Sequence, residues 1–120
     1  MPPTDTELFF WADSQDKLRQ LPAEARKDIG FALRKAQQGQ FYGNSSAISR
    51  YGSGVTEIRV SHDGEAYRTF YVAKFAEAVY VLDALHKKSK SGASLPPKDE
   101  ARIKQRYRDL VAYRNQQGYS

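Results

Sequence analysis

Residues 55–75 read VTEIRVSHDGEAYRTFYVAKF and contain the clearest local signal in the chain. Two segments rich in β-branched and aromatic residues, Val55–Ser61 and Ala66–Phe75, flank the tetrapeptide HDGE. Asp-Gly favours a two-residue hairpin turn, because both residues tolerate the positive φ that the twist of the strands requires. The stretch therefore predicts a β-hairpin in which Arg59 lies directly opposite Arg68.

A third β-rich segment, Ala78–Leu85, follows after a connector too short for the crossover of a parallel pair, which predicts a three-stranded antiparallel meander. Periodicity and capping residues predict the other elements: a strand at residues 7–11 (ELFFW), a brief helix from Asp13-Ser14 to about Leu21, a helix over Pro22–Gln38, a loop over 40–54, a polar loop over Lys87–Ser94 and a helix opening at Pro96-Pro97. We expect one α+β domain over residues 1–120. Its antiparallel sheet would carry the N-terminal strand at an edge and all helices on one side.

The composition is that of an ordinary folded protein with a moderate excess of positive charge. Apolar residues make up 40% and charged residues 28%, which argues against wholesale disorder. The absence of cysteine excludes disulfides and thiol nucleophiles. No apolar run of about 20 residues and no secretory leader pattern occurs, so we expect a cytoplasmic protein without a membrane partner. The net charge of +5 suits nucleic acid or an acidic protein as partner.

The predicted hairpin places two arginines side by side, and such a like-charge pair normally destabilises a sheet. Glu57 lies on the same face by the two-residue alternation of a strand, so it is one candidate to neutralise an arginine. An anionic ligand is a second explanation, because two rigid guanidinium groups are well suited to bind a phosphate. A solvated face on which both side chains diverge into water is the third.

The end of the third strand is expected to bring more positive charge to this arginine pair. That strand runs antiparallel to the second, so its charged end returns beside Arg68. We therefore predict a phosphodiester site formed by Arg59, Arg68, His86, Lys87 and Lys88. Further RNA contacts are predicted for Lys90 and, on the basic side of the C-terminal helix, for Arg102 and Arg106. Tyr67 and Tyr71 alternate away from Arg68 and are expected to pack.

The order and spacing of four short motifs resemble the phage Gp49-like and HigB-type toxins of the RelE/ParE superfamily. These motifs are Glu57-Ile58-Arg59, Tyr67-Arg68, Lys87-Lys88-Ser89 and the helix led by Pro96-Pro97 through Tyr107, and the resemblance covers roughly residues 5–112. Family members often carry a histidine at the position that Asp83 occupies here. The resemblance leaves either Asp83 or His86 in its place.

The resemblance implies a RelE-like fold and the toxin of a type II toxin–antitoxin pair, which cleaves mRNA on the translating ribosome. The resemblance also implies that a HigA-like helix-turn-helix antitoxin inhibits the toxin, and that the toxin contacts DNA only indirectly, through this antitoxin. The cut would need no metal or cofactor, because the 2′-OH of RNA attacks the adjacent phosphate. Arginines stabilise the transition state, Lys87 and Lys88 bind phosphate or assist proton transfer, and His86 is the candidate acid or base.

Two other functions remain open at the level of sequence. ParE-like relatives share the fold and poison DNA gyrase by binding it, without catalysis. The second function is that of a phage-derived module that has lost activity and binds nucleic acid only electrostatically. Its affinity for nucleic acid should fall steeply with salt.

Overall fold

A computed structural model describes residues 5–87 and 95–119 and shows one five-stranded sheet with helices on both of its faces. Along the sheet the strands lie in the order β1-β5-β4-β3-β2. The elements are β1 (Glu7–Phe10), α1 (Ser14–Arg19), α2 (Ala23–Gln37), β2 (Ser45–Ala47), a short 3-10 helix (Ser49–Tyr51), β3 (Val55–His62), β4 (Glu65–Val72), β5 (Ala78–Lys87) and α3 (Pro97–Gln116). The fold class is α+β, as the sequence predicted. No helix within these described ranges is long and apolar enough to cross a bilayer.

The hairpin and its register are confirmed. Asp63 and Gly64 form the two-residue turn with φ of 52° and 77°, the left-handed conformations that this turn requires. Arg59 pairs with Arg68 across β3 and β4, and β5 pairs antiparallel with β4. The predicted meander is therefore present.

The sheet differs from the predicted antiparallel one at both edges. β1 pairs with β5 in parallel, with Glu7 opposite Ala78, because α1 and α2 return the chain over the sheet before the meander begins. β2 lies inside the predicted loop over 40–54 and pairs antiparallel with β3. Its sequence, Ser-Ser-Ala, has no strand-forming residue, so only pairing with β3 makes it extended.

The helices pack against both faces of the sheet, so the prediction that all lie on one side is wrong. α2 covers one face, where its apolar side chains, such as Ile29 and Leu33, pack against Ile58 and Val81. The opposite face is covered by Ile103 and Leu110 of α3. The reason is that β3, β4 and β5 each have apolar residues on both faces, so one layer of helices leaves half of this surface in water.

A one-residue bulge in β5 changes which residues share a face. Phe70 pairs with Asp83 and Tyr71 pairs with Val81, so Leu82 is an extra residue without a partner in β4. Leu82 packs in the cluster that includes α3. Every residue of β5 after the bulge lies on the face opposite to the one that an uninterrupted ladder would give it.

Gly52, just before β3, allows α3 to pack closely on the sheet. Its φ is 153°, and a Cβ at this position would collide with the ring of Tyr107. The Tyr107 hydroxyl donates to the carbonyl oxygen of Ser53 at 2.9 Å. Only a glycine combines this conformation with such a close approach of an aromatic ring.

A partly buried ion pair joins the C-terminal end of α3 to the turn before β5. The Arg114 guanidinium contacts both carboxylate oxygens of Glu77, at 2.5 and 2.9 Å, and it also stacks on the ring of Phe75. Hydrogen bonding by Arg114 lowers the pKa of Glu77 to about 2, and the hydroxyl of Tyr80 donates a further hydrogen bond at 2.7 Å. The ionised form of Glu77 is therefore favoured by the folded state.

We expect Glu77→Gln to lower the free energy of unfolding by about 2 kcal/mol or more, because it leaves Arg114 without its charged partner. The folded state depresses the pKa of Glu77, so this contribution is present above pH 4.5, the ordinary value of a glutamate, and is lost as the pH falls toward 2. Urea denaturation of wild type and variant between pH 2 and pH 7 measures the difference.

Asp109→Asn is the control, since Asp109 is an exposed acid in the same helix and contacts Gln105. Its effect should stay within about 0.5 kcal/mol at every pH. A Glu77→Gln difference that does not change with pH would contradict the assignment.

Candidate functional site

The first candidate surface is the arginine face, defined here as Glu57, Arg59 and Arg68 on the side of the sheet that α3 covers. The Glu57 carboxylate lies 3.3 Å from the Arg68 guanidinium and 3.5 Å from that of Arg59. Glu57 and Arg59 are two residues apart in β3, and Arg68 is the partner of Arg59 in β4. The carboxylate therefore offsets the repulsion between the two arginines. This is the first of the three explanations that the sequence offered.

The two arginines differ in their access to a ligand. The Arg59 side chain is 49% exposed, whereas that of Arg68 is 2% exposed. A polynucleotide can reach the first guanidinium from solvent but not the second. This geometry therefore does not support the predicted direct contact between Arg68 and a phosphate. Arg68 holds Glu57, and Glu57 in turn positions Arg59, so Arg68 is a positioning residue.

The predicted lysines are placed only in part. Lys87 is the last residue of β5 and pairs with Ala66, which is two positions from Arg68 in β4. Alternation therefore assigns the strand position of Lys87 to the arginine face. Lys88 and Lys90 lie outside the described residues.

His86 lies on the other face of the sheet, so its predicted convergence with the arginines is wrong. It pairs with Tyr67, whereas Arg68 pairs with Leu85. The bulge at Leu82 is the cause: continuing the pairing of Val72 with Tyr80 without it would place His86 opposite Ala66, on the arginine face. The extra residue moves His86 off that face and assigns the strand position of Lys87 to it.

On its own face, His86 is held by an aromatic ring and a carboxylate. The imidazole stacks on the Tyr67 ring with centroids 4.7 Å apart, and its Nε2 lies 3.3 Å from a Glu65 carboxylate oxygen. Tyr67 and Tyr71 point away from Arg68, which confirms that prediction. A carboxylate that orients an imidazole is a common arrangement in acid–base catalysis.

His86 also lines the second candidate surface, the β5-edge cleft. This open cavity of about 510 Å³ lies between α1, the end of β5 and the start of α3, where β1 no longer covers β5. Its charged and titratable lining residues are Lys17, His86, Lys98, Asp99 and Arg102. Three cations against one carboxylate give the rim a positive balance that suits an anion.

A fully buried carboxylate, Asp83, lies behind this cleft and holds three elements together. It contacts Lys17 of α1 at 2.8 Å, and Arg102 and Arg106 of α3 at 2.7 and 3.4 Å. Arg106 also donates to the Leu82 carbonyl oxygen at 2.9 Å, an acceptor in the bulge. The position that a histidine often occupies in the resembling toxins is thus a structural ion-pair centre in this chain.

Arg102 and Arg106 are therefore not the free basic surface that the sequence predicted. Arg102 contacts both Asp83 and Asp99 at 2.7 Å, and Arg106 contacts Asp13 at 2.6 Å. Burial alone lowers the pKa of Arg102, but hydrogen bonds to the two aspartates outweigh it and raise that pKa. Hydrogen bonding by Arg106 lowers the pKa of Asp13. These arginines stay charged and engaged, and only Arg102 also lines a cavity.

Sequence reasoning missed three charged residues of the β5-edge cleft: Lys17, Lys98 and Asp99. Charged residues at the ends of helices are too common to stand out. Asp83 carried a readable signal, because a single acid in the apolar run AVYVLDAL predicts a buried charge with cationic partners. In residues 5–87 and 95–119, no group of three or more His, Asp or Glu side chains is arranged to hold a metal ion.

We expect Asp83→Asn to cost about 3–5 kcal/mol in the free energy of unfolding, because it removes the charge that three partly buried cations share. Urea or thermal denaturation measures the loss. Asp16→Asn is the matched control, since Asp16 is an exposed acid 3.8 Å from Arg19 and should change stability by less than about 0.5 kcal/mol. Equal effects of the two substitutions would refute the role of Asp83.

Comparison with known proteins identifies a family for most of the chain. Residues 16–108 match the family described as phage-derived protein Gp49-like (DUF891). The match begins inside α1, includes α2 and the whole sheet except β1, and ends inside α3. Both candidate surfaces lie inside it. No curated protein matches the chain.

Proposed function

The chain belongs to the phage-derived Gp49-like family, and from this we propose that it is the toxin of a type II toxin–antitoxin pair with a RelE-like fold. We propose that it cleaves mRNA on the translating ribosome, in the cytoplasm. A HigA-like helix-turn-helix antitoxin would be its inhibitor and its only route to DNA. The proposal joins the family membership to the chemistry of the arginine face.

The observation that carries the proposal is the half-exposed guanidinium of Arg59. Its position is defined by the Glu57 carboxylate, which is itself held by the buried Arg68. The two arginines and one carboxylate leave a net charge of +1, and β5 ends on this face with Lys87. A preorganised guanidinium beside a lysine-bearing strand end suits a phosphodiester, whose transition state carries more negative charge than its ground state.

The proposed reaction is attack of the ribose 2′-oxygen on the adjacent phosphorus, with cleavage of the bond from phosphorus to the 5′-oxygen. The 2′-OH proton goes to a base and the leaving 5′-oxygen receives a proton, so the products are a cyclic phosphate and a 5′-OH end. Arg59 binds the non-bridging oxygens, and Lys87 and Lys88 assist proton transfer. His86 is across the sheet, so its place is in binding RNA through the β5-edge cleft.

We expect Arg59→Ala to retain the fold and to lower RNA cleavage by about 100-fold or more, because it removes the charge aimed at the phosphorane. The assay is induction in cells followed by mapping of RNA 5′ ends on translated messages. Arg59 is a better test than Arg68, whose buried ion pair makes loss of folding a second explanation. Arg108→Ala removes an equal charge from an exposed position of α3 and is the matched control.

The result that would overturn the nuclease is growth arrest with no new RNA 5′ ends and with altered DNA supercoiling, as a gyrase-binding toxin produces. Neither arrest nor cleavage, together with salt-sensitive RNA binding, would indicate an inactive binding module instead. Normal cleavage by Arg59→Ala would leave the activity in place and remove the arginine face as its site.

A further inference from the structure

The outer side of α2 carries an exposed aromatic surface that the proposed reaction does not use. Phe31, Phe41 and Tyr42 are 49%, 64% and 38% exposed. Phe31 and Tyr42 meet edge to face with centroids 5.0 Å apart. They form one side of a groove of about 420 Å³, which we call the α2 groove and which is lined by Lys27, Asp28, Gly30, Phe31, Arg34 and Tyr42.

Gly30 gives the groove a second feature that the fold itself does not require. It lies in the middle of α2, where a glycine is less favourable than an alanine. Its φ is not positive, and a Cβ built on it meets no atom within 4 Å. Neither backbone conformation nor internal packing therefore calls for a glycine. Its effect is to leave a notch beside Phe31 in which another molecule can approach the helix backbone.

The charges around the groove indicate the chemistry of a ligand that would fit it. Lys27 and Arg34 lie two helical turns apart on either side of Gly30, and the Lys35 ammonium lies 5.3 Å from the centre of the Phe31 ring. The walls are thus aromatic and the rim is mainly cationic. An acidic helix with apolar residues on one face is complementary to both, because such helices place anchors at every third or fourth residue.

RNA is a poorer match to the same surface. Asp28 lies beside Lys27 in the groove lining, and Arg34 also contacts Asp5 at 3.6 Å, so the rim offers separate cations that can each pair with one glutamate but no continuous positive track. A polynucleotide needs a continuous track of cations beside its stacking residues. We propose that the α2 groove docks an acidic amphipathic helix of a partner protein. The proposal does not depend on the chemistry of the arginine face, which lies on the opposite side of the sheet.

The test titrates the protein with a synthetic amphipathic helix of about five turns, carrying leucines on one face and glutamates on its flanks. NMR amide shifts locate the site and fluorescence anisotropy gives the affinity. A twin peptide with lysines for glutamates and a single-stranded oligouridine are the comparison ligands. We expect the acidic peptide alone to shift the amides of Gly30, Phe31 and Arg34.

Two pairs of variants separate docking from general stickiness. Gly30→Gln fills the notch with a helix-favouring side chain, so it should weaken binding about tenfold with no loss of thermal stability. Gly43→Gln is the control: it also adds a side chain in open space and should leave the affinity unchanged. Phe31→Ala should weaken binding about tenfold or more, whereas loss of another exposed aromatic in Tyr119→Ala should not.

Three outcomes would overturn the proposal. One is an acidic peptide that does not bind or that shifts amides elsewhere. Another is equal affinity for Gly30→Gln and wild type. The third is oligouridine binding in the groove in preference to the peptide, which would make the aromatic surface a stacking site for bases. None of these outcomes depends on RNA cleavage, so they leave the test of the nuclease unaffected.

Discussion

The extra residue at Leu82 is the constraint on which the charged surfaces of this protein depend. A ladder that continued the pairing of Val72 with Tyr80 would put His86 beside the arginines. The bulge instead assigns the strand position of Lys87 to that face, turns Asp83 toward the arginines of α3, and leaves the Leu82 carbonyl as an acceptor for Arg106. One inserted residue thereby separates an imidazole from a guanidinium pair that are close in the strand order.

Buried carboxylates explain why the positive charge of the chain is a poor guide to its ligand. Glu57, Glu77 and Asp83 each hold at least one arginine. Glu57 joins the two strands of the hairpin, whereas Glu77 and Asp83 join the sheet region to α3. A guanidinium that is mostly buried and held by a carboxylate keeps its full charge but is out of reach of a phosphate, whereas the Arg59 side chain is 49% exposed. The surface left for an anion is therefore smaller than the composition indicates, and Arg59 is its best-defined part.

The arginine face and the α2 groove lie on opposite sides of the sheet, and their chemistry differs accordingly. The first offers a guanidinium that a carboxylate positions, which suits a phosphate. The second offers exposed aromatic rings and a glycine notch, which suit an apolar anchor. Such a separation would allow a partner protein to bind in the α2 groove without covering the proposed phosphate site.

The sequence by itself determined the hairpin, its register and the main helix, because turn chemistry and hydrophobic periodicity act between residues close in the chain. Asp63-Gly64 specified the pairing of Arg59 with Arg68, and the alternation of β3 made Glu57 their shared counterion. Only the tertiary structure decided the parallel pairing of β1, the strand at Ser45–Ala47 and the face of His86. These depend on edge pairing and on a bulge, neither of which has a local sequence signal, and the burial of Arg68 depends on packing that brings distant segments together.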